Sequence, residues 1–335
     1  MPHTNSLTNL LSAFCDNNIE CKQNEPLSDH TGIRTGGLAT LAVWPNSRRQ
    51  LIQVLDLWRE LGDSCPICVI GNGSHVLFSD QGYHGLVVIT TRANRVVFEE
   101  DEALDLNSFR KESLYCQIYA ECGASLSAVA FACVEDGRSL SGLEFACGLP
   151  DTVGGATVMN VRSYGSDMER VMVASEYYDL TSGEIVRLRD DDMNMDWDSC
   201  IYQEHPEWVV LDAVMALSYW DYDDIRERME QHMNFHQKKK PCDYPNTGEI
   251  FKRPQDNFAG RLIEDTGLKG YSIGGAQVSV RHAGFIINRG DATSEDVMDL
   301  IRYIQQEVEG AFEIRLVCRL RYLADSMAIN CGDSF

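Results

Sequence analysis

The spacing of apolar residues along the chain predicts a series of helices. In residues 47–61, SRRQLIQVLDLWREL, apolar residues recur at helical spacing, with Ser47 as the capping residue and Gly62 after the last turn. Residues 293–309 repeat this pattern, with Thr293 as the cap, Asp296 at the third helical position and Gly310 as the predicted end. A charged helix is predicted from residue 221 onward.

Shorter apolar runs between these helices predict strands. CPICVI and GLVVIT flank a glycine loop in VIGNGSHVLFSDQGYHG, residues 69–85. A strand, a turn at Gly123 and a serine-capped helix are predicted in SLYCQIYAECGASLSAVAFACVEDG. Further strands are predicted in YYDLTSGEIVRLR, WVVLDAVMALSYW and EIRLVCRLRYL. Residues 148–160, GLPDTVGGATVMN, are too rich in glycine to predict a regular element.

A chain of 335 residues is long enough for two or three domains. The first part is predicted to divide into residues 1–90 and 91–220, which no Pro/Gly-rich linker separates. A boundary is predicted at the charged helix, so that residues 221–325 form a C-terminal domain and residues 326–335 a tail.

The composition and net charge of the chain limit the classes of molecule that it is expected to bind. Hydrophobic residues make up 44% of the chain and charged residues 24%, as in an ordinary globular protein. The formal net charge of −22 argues against nucleic acid and anionic membranes as partners. A ligand that carries phosphate must therefore meet a local basic patch.

The opening MPHTNSLTNLLSAFCDNN lacks the basic start and apolar run of a signal peptide, and no later segment approaches the length of a membrane span. These features predict a cytoplasmic protein. The twelve cysteines are scattered, which predicts free thiols. Cys65 and Cys68 have CxxC spacing, but neither a second such pair nor a spaced pair of histidines accompanies them, so no metal site is predicted.

The glycine loop does not match the common phosphate-binding motifs. Ser74 and His75 follow Gly73 where a P-loop has Gly-Lys-Ser/Thr, and Val76 stands where the dinucleotide-binding fingerprint needs glycine. A strand, a loop with stacked backbone N–H donors and a second strand can nevertheless hold a pyrophosphate. An ordinary turn between two strands has the same pattern.

Six segments extend this signal, and they occur in a fixed order. They are HTGIRTGGLA (30–39), VIGNGSHVLFSDQGYHGLVV (69–88), GASLSAVAFACVEDGRSLSGLEFACGLPDTVGGATVMN (123–160), IFKRP (250–254), AGRLIEDTGLKGYSIGGAQVSVRHAGFIIN (259–288) and DATSEDV (291–297). Together they resemble the UDP-N-acetylenolpyruvoylglucosamine reductase family, flavoenzymes that make UDP-N-acetylmuramate for the bacterial wall. The resemblance covers residues 25–323 and is to the shorter type of the family.

The resemblance implies an α+β protein: a PCMH/VAO-like FAD-binding fold of two subdomains, followed by a C-terminal α+β substrate domain. It implies FAD as cofactor, with NADPH as a candidate electron donor. His75 stands where the family usually has asparagine, as a hydrogen-bonding or tolerated residue, with a covalent histidyl-flavin link as the alternative. The implied cofactor-binding residues are Gly71, Asn72, Gly73, Ser74, His75, Gly123, Ala124, Ser125, Gly154, Gly155 and Asn160.

The resemblance breaks at the catalytic positions. The family's proton-donating serine lies in a Gly-Ser-x-Phe-Lys stretch, which here is GEIFK with Glu249. The arginine of a Tyr-Arg-x-Ser-x-Phe stretch aligns with Asp198 in WDSCIY, although Asp198 can also be read as a solvated residue in an acidic run. The glutamate of a Leu-Glu-Pro-Glu-Val stretch is replaced in LVCRL, which offers Val317 and Arg319.

Replacing an arginine by a carboxylate near a developing enolate changes the interaction by several kcal/mol, on the order of 10³-fold in rate. The sequence therefore predicts an FAD-dependent oxidoreductase with a changed reaction, dehydrogenation or reduction, and with Glu249 as acid/base and Asp198 as partner. The alternatives are an authentic NADPH-dependent reductase with Glu249 as proton donor and a catalytically inactive flavin-binding protein.

A basic patch suited to an anionic ligand follows the charged helix. The predicted substrate-binding residues are Lys239, Lys240, Lys252 and Arg253. They indicate a small-molecule substrate that is phosphorylated or linked to a nucleotide, with the phosphates of NADPH as a competing explanation and a solvated charged face as the simplest one.

Overall fold

The computed structural model describes residues 3–62, 65–99, 115–197, 199–241, 243–324 and 327–330. Its helices are α1 (His3–Asp16), α2 (Arg48–Leu61), α3 (Leu126–Ala132), α4 (Val153–Val158), α5 (Ile201–Glu204), α6 (Tyr222–Lys239), α7 (Ala259–Asp265) and α8 (Ser294–Phe312). The strands of the first ninety-nine residues are β1 (Glu20–Pro26), β2 (Leu38–Trp44), β3 (Ile67–Ile70), β4 (Val76–Phe78), β5 (Tyr83–Ile89) and β6 (Val96–Phe98).

The strands between residues 115 and 219 are β7 (Tyr115–Glu121), β8 (Leu140–Ser141), β9 (Arg162–Ser163), β10 (Ser166–Asp167), β11 (Met172–Asp179), β12 (Ile185–Arg189) and β13 (Trp208–Tyr219). The last strands are β14 (Asn246–Glu249), β15 (Ser272–Ile273), β16 (Ala276–Val278), β17 (Phe285–Asn288), β18 (Arg321–Ala324) and β19 (Met327–Asn330).

The chain forms two compact units that interleave along the sequence. The first unit contains residues 1–21, 43–64 and 88–236, and the second contains residues 22–42, 65–87 and 237–335. The described helices and sheets in both units make this an α+β protein, as predicted. The division into residues 1–90, 91–220 and 221–325 with a tail at 326–335 stays a prediction.

The first unit is built on a six-stranded sheet with order β12-β11-β13-β7-β6, in which β8 also pairs with β13. Its central strand β13 is almost wholly buried and pairs antiparallel with both neighbours. A long buried apolar strand is typical of a sheet covered on both faces. This sheet positions α3 and α4, which follow β7 along the chain.

The second unit holds one continuous apolar core. Residues from α7, α8 and the strands of the sheet β14-β17-β16-β15 pack together with Ile33 and Leu77. Strand β4, which follows the glycine loop, pairs in parallel with β18 near the end of the chain. The glycine loop is therefore tied to a segment that lies about 240 residues further along the chain.

The capped helices confirm the predicted starts. Ser47 accepts a hydrogen bond from the backbone of Gln50, and Thr293 and Asp296 form a reciprocal capping box. The predicted end of α8 is wrong: the helix passes through Gly310 to Phe312, and Glu313 takes the left-handed conformation that terminates it. A single glycine costs a helix only about 1 kcal/mol, which the packing of the buried face offsets.

Residues 148–160 contradict the sequence expectation that no regular element forms there. Val153–Val158 is helical, and Thr152 caps it by accepting a hydrogen bond from the Gly155 backbone. A Cβ on Gly154 would lie 2.8 Å from the Cβ of Cys122. Glycine is needed here because α4 approaches the end of β7 closely, so tertiary packing overrides the low helix propensity of glycine.

The predicted strand at 313–323 is confirmed only at its end, where β18 begins at Arg321. Ten described cysteines, among them Cys65 and Cys68, are free thiols. Burial raises the pKa of Cys65 to about 11, which suits a small core residue rather than a reactive one. No described helix combines the length and apolar character needed to cross a bilayer.

A buried ionic group lies on the sheet of the first unit. Arg48 Nε donates to Asp212 Oδ2 at 2.7 Å, and the guanidinium also bonds Glu176. Asp212 is only 3% exposed, and burial together with the nearby charge of Glu176 raises its pKa from 3.8 to about 6, against the opposing effect of Arg48. Ionised Asp212 is therefore less favourable in the folded state than in the unfolded chain.

The raised pKa predicts a pH-dependent stability. At pH values between the pKa of Asp212 in the unfolded chain and its pKa in the folded protein, the native state binds more protons than the unfolded state. The stability that protonated Asp212 contributes is therefore lost as the pH rises through about 6. Compared with Asp212→Asn, the wild type should gain about 2 kcal/mol in its free energy of unfolding between pH ~7.5 and ~4.5. Urea titrations of both proteins measure this difference. Asp136→Asn, at an exposed acid, is the control for the loss of one negative charge.

Candidate functional site

The glycine loop connects β3 to β4 in the second unit. Gly73 has φ +64, and a Cβ there would lie 2.1 Å from the carbonyl oxygen of His30. The Gly32 N–H donates to the Gly73 carbonyl at 3.1 Å, which holds the loop against residues 30–32. Asn72 is exposed at the tip. The loop thus presents main chain and small polar side chains without any charged group.

The ring of His75 lies against the main chain of β14. Its Nδ1 is 3.3 Å from the carbonyl oxygen of Thr247. Gly248 has φ +70, and a Cβ on it would lie 2.6 Å from His75 Cε1. His75 therefore occupies the space that any side chain at position 248 would need. The structure thus brings the end of the glycine loop next to Gly248, the residue that precedes Glu249 in the sequence.

Glu249 ends β14 and is exposed rather than buried. Its neighbour Ile250 accepts a hydrogen bond from the Arg319 backbone at 2.6 Å, and Phe251 and Cys318 form the adjoining bridge. Glu249 and Arg319 thus lie on adjacent segments of the second unit. The sequence predicts departures from the family at both positions, and the fold makes these two positions neighbours.

The basic residues are spread over the same unit. Lys252 donates its N–H to Val317, and Arg253 Cζ lies 3.9 Å from the ring centre of Phe258 while its Nε donates to Asn257. Lys240 is half-buried. Lys239 ends α6, and its side chain is outside the described residues, so their role as one substrate-binding patch stays a prediction.

In the first unit, the predicted cofactor residues form a compact cluster where β7 leads into α3. The N–H groups of Gly123, Ala124 and Gly154 donate to the carbonyls of Ala93, Glu121 and Cys122, at 2.8–3.0 Å. A Cβ on Gly123 would lie 1.7 Å from the Thr90 carbonyl oxygen. These three residues therefore shape the main chain, and their N–H groups are already engaged within the protein.

Ser125 and Gly155 are the exposed members of this cluster. Ser125 is bridged to Thr152, and its hydroxyl oxygen accepts the N–H of Ala128 as the cap of α3. A hydroxyl group that accepts one bond can still donate its proton. A Cβ on Gly155 would meet only Thr152 Oγ1, at 3.3 Å. A ligand can approach the main chain at these two positions.

Asn160 is buried and is committed to the protein itself. Its amide nitrogen donates to the Asp196 carbonyl at 2.7 Å, and its oxygen accepts the N–H of Glu169 at 3.1 Å. Asn160 thereby fixes the turn at 196–199, in which Asp196 and Ser199 bond each other's backbone. Asp198 lies outside the described residues.

Sequence reasoning missed several residues that build these clusters. Thr152, Gly32 and Gly248 have no charged group to attract attention. Gly32 and Thr152 stand in or beside a glycine-rich stretch, which is the one available signal, whereas Gly248 is an isolated glycine. Among the described residues, no group of three or more His, Cys, Asp or Glu side chains is arranged to hold a metal ion.

Each unit carries features that suit one part of a flavin nucleotide. The uncharged loop at 71–74 offers main chain to a diphosphate in the second unit, and Ser125 and Gly155 leave open surface next to a hydroxyl donor in the first.

Comparison with known proteins gives matches along most of the chain. Residues 39–189 match the FAD binding domain family, and residues 240–323 match the C-terminal domain of UDP-N-acetylenolpyruvoylglucosamine reductase. The UDP-N-acetylenolpyruvoylglucosamine reductase of Caldanaerobacter subterraneus subsp. tengcongensis is 39% identical over 302 residues, which cover 90% of this chain and 93% of that protein.

The protein of the same name from Geobacillus kaustophilus is 35% identical over 327 residues, which cover 97% of this chain and all of that protein. Among solved structures, the UDP-N-acetylenolpyruvylglucosamine reductase (MurB) of Thermus caldophilus superposes with a TM-score of 0.69 at 24% identity. The superposition covers 91% of this chain and 99% of the other, and it supports the fold.

Proposed function

Because the chain belongs to the UDP-N-acetylenolpyruvoylglucosamine reductase family of FAD-dependent oxidoreductases, we propose that it reduces UDP-N-acetylenolpyruvoylglucosamine with NADPH. The observation that carries this proposal is the similarity to relatives of that name at 35–39% identity over at least 90% of the chain. It replaces the changed reaction predicted from the sequence as the leading proposal.

Bound FAD would supply hydride transfer between NADPH and the double bond of the substrate. Residues 71–74 would hold the diphosphate on main-chain donors, and His75 would close the loop against β14. The hydroxyl group of Ser125 would donate a hydrogen bond to the cofactor, and Gly155, which has no side chain, would leave room for the cofactor. Gly123, Ala124, Gly154 and Asn160 would act indirectly, by fixing the main chain that carries these groups.

Glu249 is the proposed acid. Addition of hydride to the enolpyruvyl double bond leaves negative charge on the neighbouring carbon, which must take up a proton. Glu249 follows Gly248, against which the His75 ring lies, so its main chain is held firmly.

A second candidate is dehydrogenation, the changed reaction that the sequence predicted. The exposure of Glu249 favours it, because an exposed carboxylate is better suited to accept a proton than to donate one. Here Glu249 would take a proton from a substrate hydroxyl, amine or activated C–H while hydride leaves the same substrate.

Anaerobic turnover distinguishes these functions. The proposed reductase should consume NADPH only when the UDP-linked enolpyruvyl substrate is present, and mass spectrometry should find UDP-N-acetylmuramate. A flavin that NADPH reduces but the enolpyruvyl substrate does not reoxidise would contradict the proposal and leave dehydrogenation as the leading candidate. A flavin that neither NADPH nor hydroxyl- or amine-bearing donors reduce would indicate an inactive protein.

The open surface at Gly155 predicts a block of flavin binding without unfolding. Gly155→Trp should abolish the flavin absorbance of the purified protein, because the indole would fill the space beside Thr152, the residue that is bridged to Ser125. Gly155→Ala is the matched control and should keep the flavin, since its methyl group meets one atom at 3.3 Å. Equal flavin content in both variants, with unchanged circular dichroism, would show that Gly155 does not belong to the proposed flavin site.

A further inference from the structure

The described cysteines differ in their exposure to solvent. Eight of the ten are buried, and the other two are Cys15, which is exposed, and Cys21, which is half-buried. Free cysteine usually behaves as a small apolar residue and is among the residue types most often found in a core. The two described cysteines that solvent reaches are therefore the ones whose presence core packing does not explain.

These two cysteines lie on either side of one turn in the first unit. Cys15 belongs to the last turn of α1, and Cys21 is the second residue of β1. Between them, Asn18 takes the left-handed conformation with φ 54, and the N–H of Ile19 donates to the Phe14 carbonyl at 2.9 Å. A left-handed residue at the end of a helix reverses the chain direction. The reversal brings Cys21 back beside the end of α1.

The thiol groups of Cys15 and Cys21 are in hydrogen-bonding contact. Small rotations of the two side chains would bring sulfur atoms in such contact to the length of a disulfide bond, about 2 Å. Burial raises the pKa of Cys21 to about 11, and the neighbouring Cys15 adds to this effect. The thiol of Cys21 therefore resists ionisation, and the exposed thiol of Cys15 is the one that a dissolved oxidant meets first.

The turn between the two cysteines is held in place by Asn17. Its Nδ2 donates to the Ala13 carbonyl at 2.8 Å, within α1 and the residue that follows it. Its Oδ1 accepts a hydrogen bond from Gln53 Nε2 of α2, also at 2.8 Å. Because the turn is fixed from both sides, each thiol meets the other at a far higher effective concentration than it meets a dissolved thiol.

We propose that Cys15 and Cys21 form a reversible intramolecular disulfide, a modification site that closes the turn at the end of α1. The oxidant is a low-molecular-weight disulfide. The thiolate of Cys15 attacks one sulfur atom of this compound, so that one small thiolate leaves and a mixed disulfide forms on Cys15. This site is independent of the proposed function.

A second exchange completes the reaction. The sulfur of Cys21, after it loses its proton, attacks the sulfur of Cys15 and displaces the second small thiolate. The two cysteines lose two electrons and two protons in all. The oxidant gains both electrons, and its two halves leave as thiols that carry the protons.

Glutathione disulfide tests this site on the flavin-loaded protein. After incubation, the protein is denatured in N-ethylmaleimide, which blocks the remaining thiols, and is digested with trypsin without a reductant. Lys22 is the first lysine or arginine of the chain, so residues 1–22 form one peptide, and Cys15 and Cys21 are its two cysteines. In the wild type this peptide should lose the mass of two hydrogen atoms and carry neither N-ethylmaleimide nor glutathione. Dithiothreitol should reverse the change.

Two variants separate the roles of the two cysteines. Cys21→Ser removes the second exchange, so its peptide should retain glutathione on Cys15, roughly tenfold more than the wild type retains. Cys15→Ser removes the exposed thiol, so its peptide should carry N-ethylmaleimide alone. Cys147 is the matched internal control, because it is buried and is the single cysteine of the tryptic peptide 139–162. It should stay reduced in all three proteins.

The other outcomes contradict the proposal. A wild-type peptide that keeps both thiols at every glutathione disulfide concentration, or that retains glutathione without closing the bond, would show that the two sulfur atoms do not react with each other. Glutathione retained equally by Cys15→Ser and Cys21→Ser would overturn the role of Cys15 as the first group attacked. Oxidation of Cys147 as readily as Cys15 would show general unfolding rather than a specific site. None of these results depends on the substrate, so the proposed function is tested separately.

Discussion

Replacement of Glu249 by glutamine should lower turnover of the enolpyruvyl substrate about 10²- to 10⁴-fold and leave the flavin bound. Glutamine keeps the size and the hydrogen-bonding capacity of glutamate but can neither donate nor accept the proton that the reaction moves. Because Glu249 is exposed at the end of β14, the substitution disturbs no buried contact. The loss should appear in kcat, measured from NADPH consumption under anaerobic conditions, with the flavin spectrum recorded on the same sample.

Two companion variants sharpen this result. Glu249→Ser restores the residue type that the resemblance predicts for the family, so a reductase should tolerate it better than Glu249→Gln. Glu313→Gln, at an exposed acid that caps α8, controls for the loss of one negative charge and should leave kcat unchanged. Full activity of Glu249→Gln would show that another group moves the proton.

Replacement of Gly73 by alanine should remove the flavin and destabilise the protein by at least about 3 kcal/mol. The added Cβ would lie 2.1 Å from the His30 carbonyl oxygen, and 3.0 Å from the Cα of Thr31. Main-chain atoms cannot rotate away as a flexible side chain would, so the loop must leave residues 30–32 and lose the hydrogen bond from Gly32. Urea unfolding and the flavin absorbance of the purified variant measure the two effects.

Gly267 provides the matched control within the same unit. Its φ is +77, close to that of Gly73, but a Cβ there would meet no atom within 4 Å. Gly267→Ala should therefore cost only the strain of the left-handed conformation, about 1 kcal/mol, and keep the flavin. Equal destabilisation by the two substitutions would mean that the contact with His30 does not hold the loop.

The local signals in the sequence were sufficient for the capped helices and the strand–loop–strand unit. Ser47 and Thr293 act on backbone groups three residues away, so a short window contains both partners. The predicted end of α8 was wrong because Glu313, rather than Gly310, takes the left-handed conformation that ends the helix. In α4, packing against Cys122 decided the outcome, and no short window of sequence contains that contact.

The features of the candidate site divide in the same way, into those that residue types reveal and those that only packing brings about. The glycines of the loop and the departures at positions 249 and 319 can be read directly from the residue types. The sequence does not reveal that His75 approaches Gly248 or that Arg162 stacks on Trp197, because each contact joins segments that are far apart along the chain. The buried contact between Arg48 and Asp212 also joins distant segments, so the sequence does not reveal it either.

By itself, the sequence determined the residue chemistry of this protein: an acidic globular chain, capped helices, a glycine loop suited to a diphosphate, and carboxylates and arginines at unusual positions. Only the tertiary structure decided which of these groups meet. Helix caps and turns depend on partners a few residues apart, whereas the pairing of β4 with β18 and the contacts of His75 and Arg162 depend on how distant segments pack. Chain connectivity alone does not specify that packing.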